Sequence, residues 1–62
     1  KVTDELTVME FSIAMQASGG WTNKEIAAHM GISVNTVKHH LTDIFCKLDI
    51  KKREELKQYM LN

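Results

Sequence analysis

TNKEIAAHMGISVNTVKHHLTDIFCKL, residues 22–48, holds two helical segments separated only by Gly31, Ile32 and Ser33. Thr22-x-x-Glu25 is a capping box, in which a hydroxyl and a carboxylate satisfy amides that helical bonding leaves free. Ser33 precedes Val34 as a second cap, with Thr36 rather than Glu at the position that would complete the box. Ala27, Gly31 and Val37 stand at i, i+4 and i+10. The small Ala27 lets two helices approach closely, Gly31 makes the tight turn, and Val37 packs back between them. That is the spacing of a helix-turn-helix. On those three residues alone, a plain helical hairpin around a small core fits equally well.

The longer segment narrows the choice. At about 100° per residue, Val34, Val37, Leu41, Ile44, Phe45 and Leu48 fall on one stripe, expected to be core, and Ile26, Ala27 and Met30 face it from the shorter segment. Asn35, Lys38, His39, Thr42 and Cys46 fall opposite, with no carboxylate before Asp43. An ordinary solvated face would carry more Glu and Lys. Amide, ammonium, imidazole and hydroxyl donors near the start of a one-sided helix suit the major groove of DNA. The free amides and positive dipole end at Thr22-Asn23, with Lys24 beside them, suit a phosphate.

Working outward, Thr7-x-x-Glu10 is another capping box and Gly19-Gly20 a stop. Asp49 ends the third segment less comfortably than glycine would. Helices are expected over roughly 8–18, 23–30, 34–48 and 52–61, and the lack of proline and of any period-2 run leaves no strand, so the class is all-α. In the first helix Leu6, Met9, Ile13 and Ala17 form the inward stripe. Val8, Phe11 and Met15, at i, i+3 and i+7, fall on the other side and read as a face for a partner domain. In the last helix Leu56 and Met60 face inward, leaving Glu54, Lys57, Gln58 and Leu61 as a mostly polar face too small for a stable free dimer.

Sixty-two residues allow one domain, residues 1–62, and no large internal active-site cavity. The longest apolar runs, such as Ile13–Met15, are three residues, too short to span a membrane, and no secretory leader is visible. The start at Lys1 rather than Met reads as one domain cut from a longer protein whose N-terminal part senses the signal. The single cysteine cannot form an internal disulfide, which fits a reducing cytoplasm. Net charge is zero, yet residues 21–53 carry six basic and three acidic side chains while both ends are mildly acidic. Local polarity steers toward phosphate more than net charge does.

Other chemistries find little support. His39, Asp43 and Cys46 lie at i, i+4 and i+7, but a structural zinc site wants four ligands, usually from two segments, and His29 is on another helix. Neither a metal nor a cofactor is expected. His40, at the edge of the core stripe, reads as structural, and Cys46 as a surface thiol, with redox sensing the lesser alternative. No phosphate loop, paired carboxylate or nucleophile set points to an enzyme. The competing class is a helical protein-interaction module that kept the shape without the DNA role, supported by the neutral net charge.

Leu6-Thr7, Glu10, Gly20, Thr22-Asn23-Lys24-Glu25-Ile26-Ala27, Gly31-Ile32-Ser33, Thr36-Val37-Lys38, His40 and Lys47-Leu48 together resemble the LuxR-type (GerE, NarL) DNA-binding domain, without a gap from about Leu6 to Leu56. The resemblance implies a four-helix domain, a three-helix core plus a C-terminal helix, at the C-terminus of a bacterial transcription regulator such as a response regulator. It implies a cytoplasmic protein at the nucleoid, binding double-stranded DNA as a homodimer, with the fourth helix forming the dimer contact. By position, Lys38, His39 and Thr42 would face the bases. Thr22, Asn23, Lys24, Thr36 and Lys47 would touch the sugar-phosphate backbone. His39 departs from the family's usual small aliphatic residue, Cys46 from Arg or Lys, Asp49 from Gly, and Lys52 from a Ser or Asn cap.

Overall fold

Three of the four helices open on a hydroxyl. Thr7 Oγ1 accepts from the Glu10 amide at 3.1 Å and Glu10 Oε1 from the Thr7 amide at 3.0 Å, which starts α1, Val8–Ser18. Thr22 and Glu25 repeat the exchange at 3.1 and 2.9 Å at the head of α2, Asn23–Met30. Ser33 Oγ accepts from the Thr36 amide at 3.1 Å and meets the Thr36 hydroxyl at 2.9 Å, opening α3, Val34–Leu48. The last helix, α4, is Arg53–Leu61, starting one residue later than expected. Lys52 has no side-chain acceptor for an amide, and Glu55 instead reaches back to the Lys51 amide at 3.2 Å. The computed structural model describes residues 6–61, without the side chain of Leu61, so the expectation for Leu61 lies outside what is described.

The stops of α2 and α3 are left-handed residues. Gly31, at φ 73°, ends α2, and the Gly31 and Ile32 amides both donate to the Ala27 carbonyl, at 2.9 and 3.1 Å. Asp49 does the same for α3 at φ 57°, a conformation that costs a residue with a Cβ. The Ile50 amide then donates to the Phe45 carbonyl at 3.0 Å, which drops the Ile50 side chain into the core.

α1 packs against all three other helices, and α2 packs against α3. The core joins Ile13, Ala14 and Ala17 of α1 to Ile26 and Ala27 of α2, then to Val37, Leu41, Ile44 and Leu48 of α3. Ile50 and Leu56 close it below α4. Ile13, Ile26, Val37, Ile44 and Leu56 are fully buried, each worth about 2 kcal/mol of apolar transfer. Ala27 is buried in α2, the helix that packs on α3, as the helix-turn-helix spacing requires.

Two expectations of burial fail. Val34 is exposed rather than core, because it is the first residue of α3 and lies ahead of the turn that α2 covers. Met9 is exposed at 40%, and its inward place belongs to Glu10, which is 6% exposed. The buried stripe of α1 is Glu10, Ile13, Ala14 and Ala17, so the helix is rolled away from Met9. That roll leaves Val8 and Met15 exposed but half-buries Phe11, which the spacing had placed in water beside them.

Candidate nucleic-acid interface

The outer face of α3 stands as the wheel indicated. Asn35, Lys38, His39, Thr42 and Cys46 are all exposed, opposite the buried Val37, Leu41, Ile44 and Leu48. With 15 residues the helix is about 22 Å long, and a major groove about 12 Å wide admits it. Lys38 is exposed and makes no ion pair with another described residue. One donor is lost from the expected set. Thr42 Oγ1 donates to the Lys38 carbonyl at 3.0 Å, which leaves its oxygen as an acceptor and its methyl group for apolar contact.

The head of α2 is more selective than a bare helix start. The capping box consumes the amides of Thr22 and Glu25, so the unpaired backbone donors are those of Asn23 and Lys24. Thr22 and Lys24 are exposed, Asn23 and Thr36 half-buried. Arg53, absent from the sequence-derived set, reaches this point from the start of α4. Its guanidinium donates to Asn23 Oδ1 at 2.7 Å and to the Trp21 carbonyl at 2.6 Å. Trp21 also meets the His29 ring edge-on, with centroids 5.3 Å apart.

Lys47 occupies a different position from the other basic residues. Its Nζ lies 2.7 Å from Glu10 Oε1, tying the far end of α3 to the head of α1. The Lys47 hydrogen bond and then the Thr7 amide hold the Glu10 carboxyl below its ordinary range, against the opposing effect of burial. Lys47 therefore carries a charge already matched within the protein. On α4, Glu54, Lys57 and Gln58 are exposed, while the Tyr59 hydroxyl donates to the Leu48 carbonyl at 3.0 Å and so caps α3. Among the described residues no three His, Cys, Asp or Glu side chains converge, and no helix is long and apolar enough to cross a membrane.

Arg53, Tyr59 and Ile50 escaped the sequence reading because each acts on an element distant in sequence, where no local spacing records the contact. The one signal for Arg53 was its place in the basic run Lys51-Lys52-Arg53 at the entry to α4.

Residues 4–60 match the family model described as bacterial regulatory proteins, luxR family. The chain is similar to the probable transcriptional regulatory protein SgaR of Hyphomicrobium methylovorum, 44% identical over 50 residues, covering 81% of this chain and 24% of that protein. It is 39% identical over 56 residues to the transcriptional regulatory protein LiaR of Bacillus subtilis strain 168. It is 41% identical over 56 residues to the oxygen regulatory protein NreC of Staphylococcus haemolyticus. Each of these two alignments covers 90% of this chain and 26% of the relative. The chain thus spans about a quarter of the length of the curated relatives it matches.

Proposed function

The chain belongs to the luxR family of bacterial regulatory proteins, a family of DNA-binding transcription regulators, and from that premise we propose how it holds DNA. The outer face of α3 lies in the major groove, and the head of α2 grips the phosphate backbone. The carboxylate-free exposed run Asn35, Lys38, His39 and Thr42, on a helix whose other side is buried, is the observation that carries this reading. Lys38 donates to guanine acceptors, Asn35 to adenine, and the Thr42 methyl packs on thymine. Thr22, Asn23, Lys24 and Thr36 face phosphate, whose displaced counterions make binding salt-dependent. Lys47, matched by Glu10, is assigned to the fold rather than to DNA. The domain acts by binding and not by catalysis, in the cytoplasm at the nucleoid.

Selection from a random DNA pool tests the assignment. Lys38→Ala changes the selected bases, at a cost of about 1–3 kcal/mol in discrimination. Lys24→Ala weakens all sequences alike and lowers the salt slope by about one. An unchanged base preference in Lys38→Ala would remove that residue from the groove.

Two further parts of the reading concern partners. Glu54, Lys57 and Gln58 offer a polar α4 face that supports a dimer formed on DNA and a monomer without it. Sedimentation with and without duplex tests this, and a tight dimer of the free domain overturns it. Val8, 86% exposed, and Met15, 48% exposed, with the half-buried Phe11 between them, support a face for an N-terminal regulatory domain. Val8→Ser leaves the DNA affinity of the isolated chain as it is and alters regulation in the longer protein. Unaltered regulation there rejects the docking face.

A further inference from the structure

We propose that Arg53 is a positioning residue for DNA binding, acting by locking the Asn23 side chain so that its amide hydrogens are offered to a phosphate. The proposal rests on the reading of α2 as the phosphate grip, and adds a residue of α4 to it.

A guanidinium has donors and no acceptor. The Asn23 atom that meets Arg53 Nη1 at 2.7 Å must therefore be the oxygen, which turns the nitrogen the other way. Among the described residues that Nδ2 has no partner, and it is not among the buried unpaired side-chain atoms, so some of its surface stays accessible. It joins the unpaired backbone amides of Asn23 and Lys24 and the Lys24 ammonium at one helix end. Without the clip, the Asn23 amide is free to rotate and to present its oxygen, which a phosphate repels.

The fork is what fixes the geometry. Nη2 donates to the Trp21 carbonyl at 2.6 Å while Nη1 holds Asn23, so one planar group spans the residue before the cap and the first residue of α2. Both bonds reach across 30 residues or more of chain, which ties the start of α4 to the start of α2. Lysine keeps the charge but not the planar fork.

A double-mutant cycle on the 62-residue chain tests this, read by fluorescence anisotropy with a labelled mixed-sequence duplex at low salt, at a temperature where melting curves show each variant folded. Arg53→Lys and Asn23→Ala each lower affinity about tenfold, the worth of one aligned hydrogen bond to a charged group. The double variant binds no more weakly than Asn23→Ala alone, because Arg53 works through Asn23. Losses that multiply make Arg53 an independent contact and overturn the proposal. So does Arg53→Lys binding like the parent chain, the result expected of a clip that serves the fold alone. If Arg53→Lys does not fold, Asn23→Ala decides, and its binding like the parent overturns the proposal. A parent chain that binds no duplex overturns the DNA reading itself and this inference with it, whereas a parent that binds beside unaffected variants overturns only the inference.

Discussion

Thr7-x-x-Glu10 and Thr22-x-x-Glu25 are the same four-residue device, and their bond lengths agree within 0.1 Å. Their carboxylates end in different places. Glu10 is buried and shares its Oε1 between the Thr7 amide and Lys47 Nζ. Glu25 is exposed and makes no ion pair with another described residue. The local motif sets the cap in both cases, and what lies across from it sets everything else. Lys47 stands 37 residues from Glu10 and closes the head of α1 into the fold. At the head of α2 the long-range contact comes instead from Arg53, which holds Asn23 and the Trp21 carbonyl but leaves Glu25 and the Asn23 and Lys24 amides without a partner among the described residues beyond the capping box.

The largest test of that contrast is stability. Glu10→Ala removes half a capping box and leaves Lys47 unmatched, costing about 2 kcal/mol, or about 10 °C in melting temperature for a domain of this size. A loss no greater than that of Glu25→Ala would make the two boxes equivalent.

Acid separates them next. The Glu10 carboxyl titrates below its ordinary 4.5, so its contribution is complete above that value and disappears as pH falls through the folded-state value. Thermal melts of the parent chain and Glu10→Gln therefore differ at neutral pH and converge in strong acid. Divergence that persists in acid would mean the carboxyl stabilises by shape and not by charge.

The smallest effect belongs to the open box. Glutamine can complete a capping box, so Glu25→Gln changes stability by no more than about 0.5 kcal/mol. It also removes a negative charge beside the proposed phosphate grip, and DNA affinity is then expected to rise about two- to fivefold at low salt. Unchanged affinity in an anisotropy titration would place the phosphate elsewhere than the head of α2.

What the sequence disclosed follows the range of the forces involved. Capping boxes, glycine stops and the two faces of α3 depend on residues within about two helical turns, and those were legible. The roll of α1 was not, because apolar residues stand on both of its sides and the deciding contact comes from Lys47 on another helix. The wheel likewise placed Thr42 outward correctly but could not show its hydroxyl turned back to the Lys38 carbonyl. The Arg53 fork joins positions 30 and 32 residues apart, and no periodicity encodes such a pair.

Asp49, held at φ 57° where α3 ends, bears on how this domain can evolve. The left-handed backbone costs an aspartate about 1 kcal/mol that glycine is spared. Aspartate and glycine codons differ by a single base, so that stability is one mutation away. A small domain sits close to its folding threshold, and most substitutions destabilise. On the proposed reading of α3, a lineage that takes the glycine gains room to try new residues at Lys38, His39 or Thr42, and through them new operators, without losing the fold.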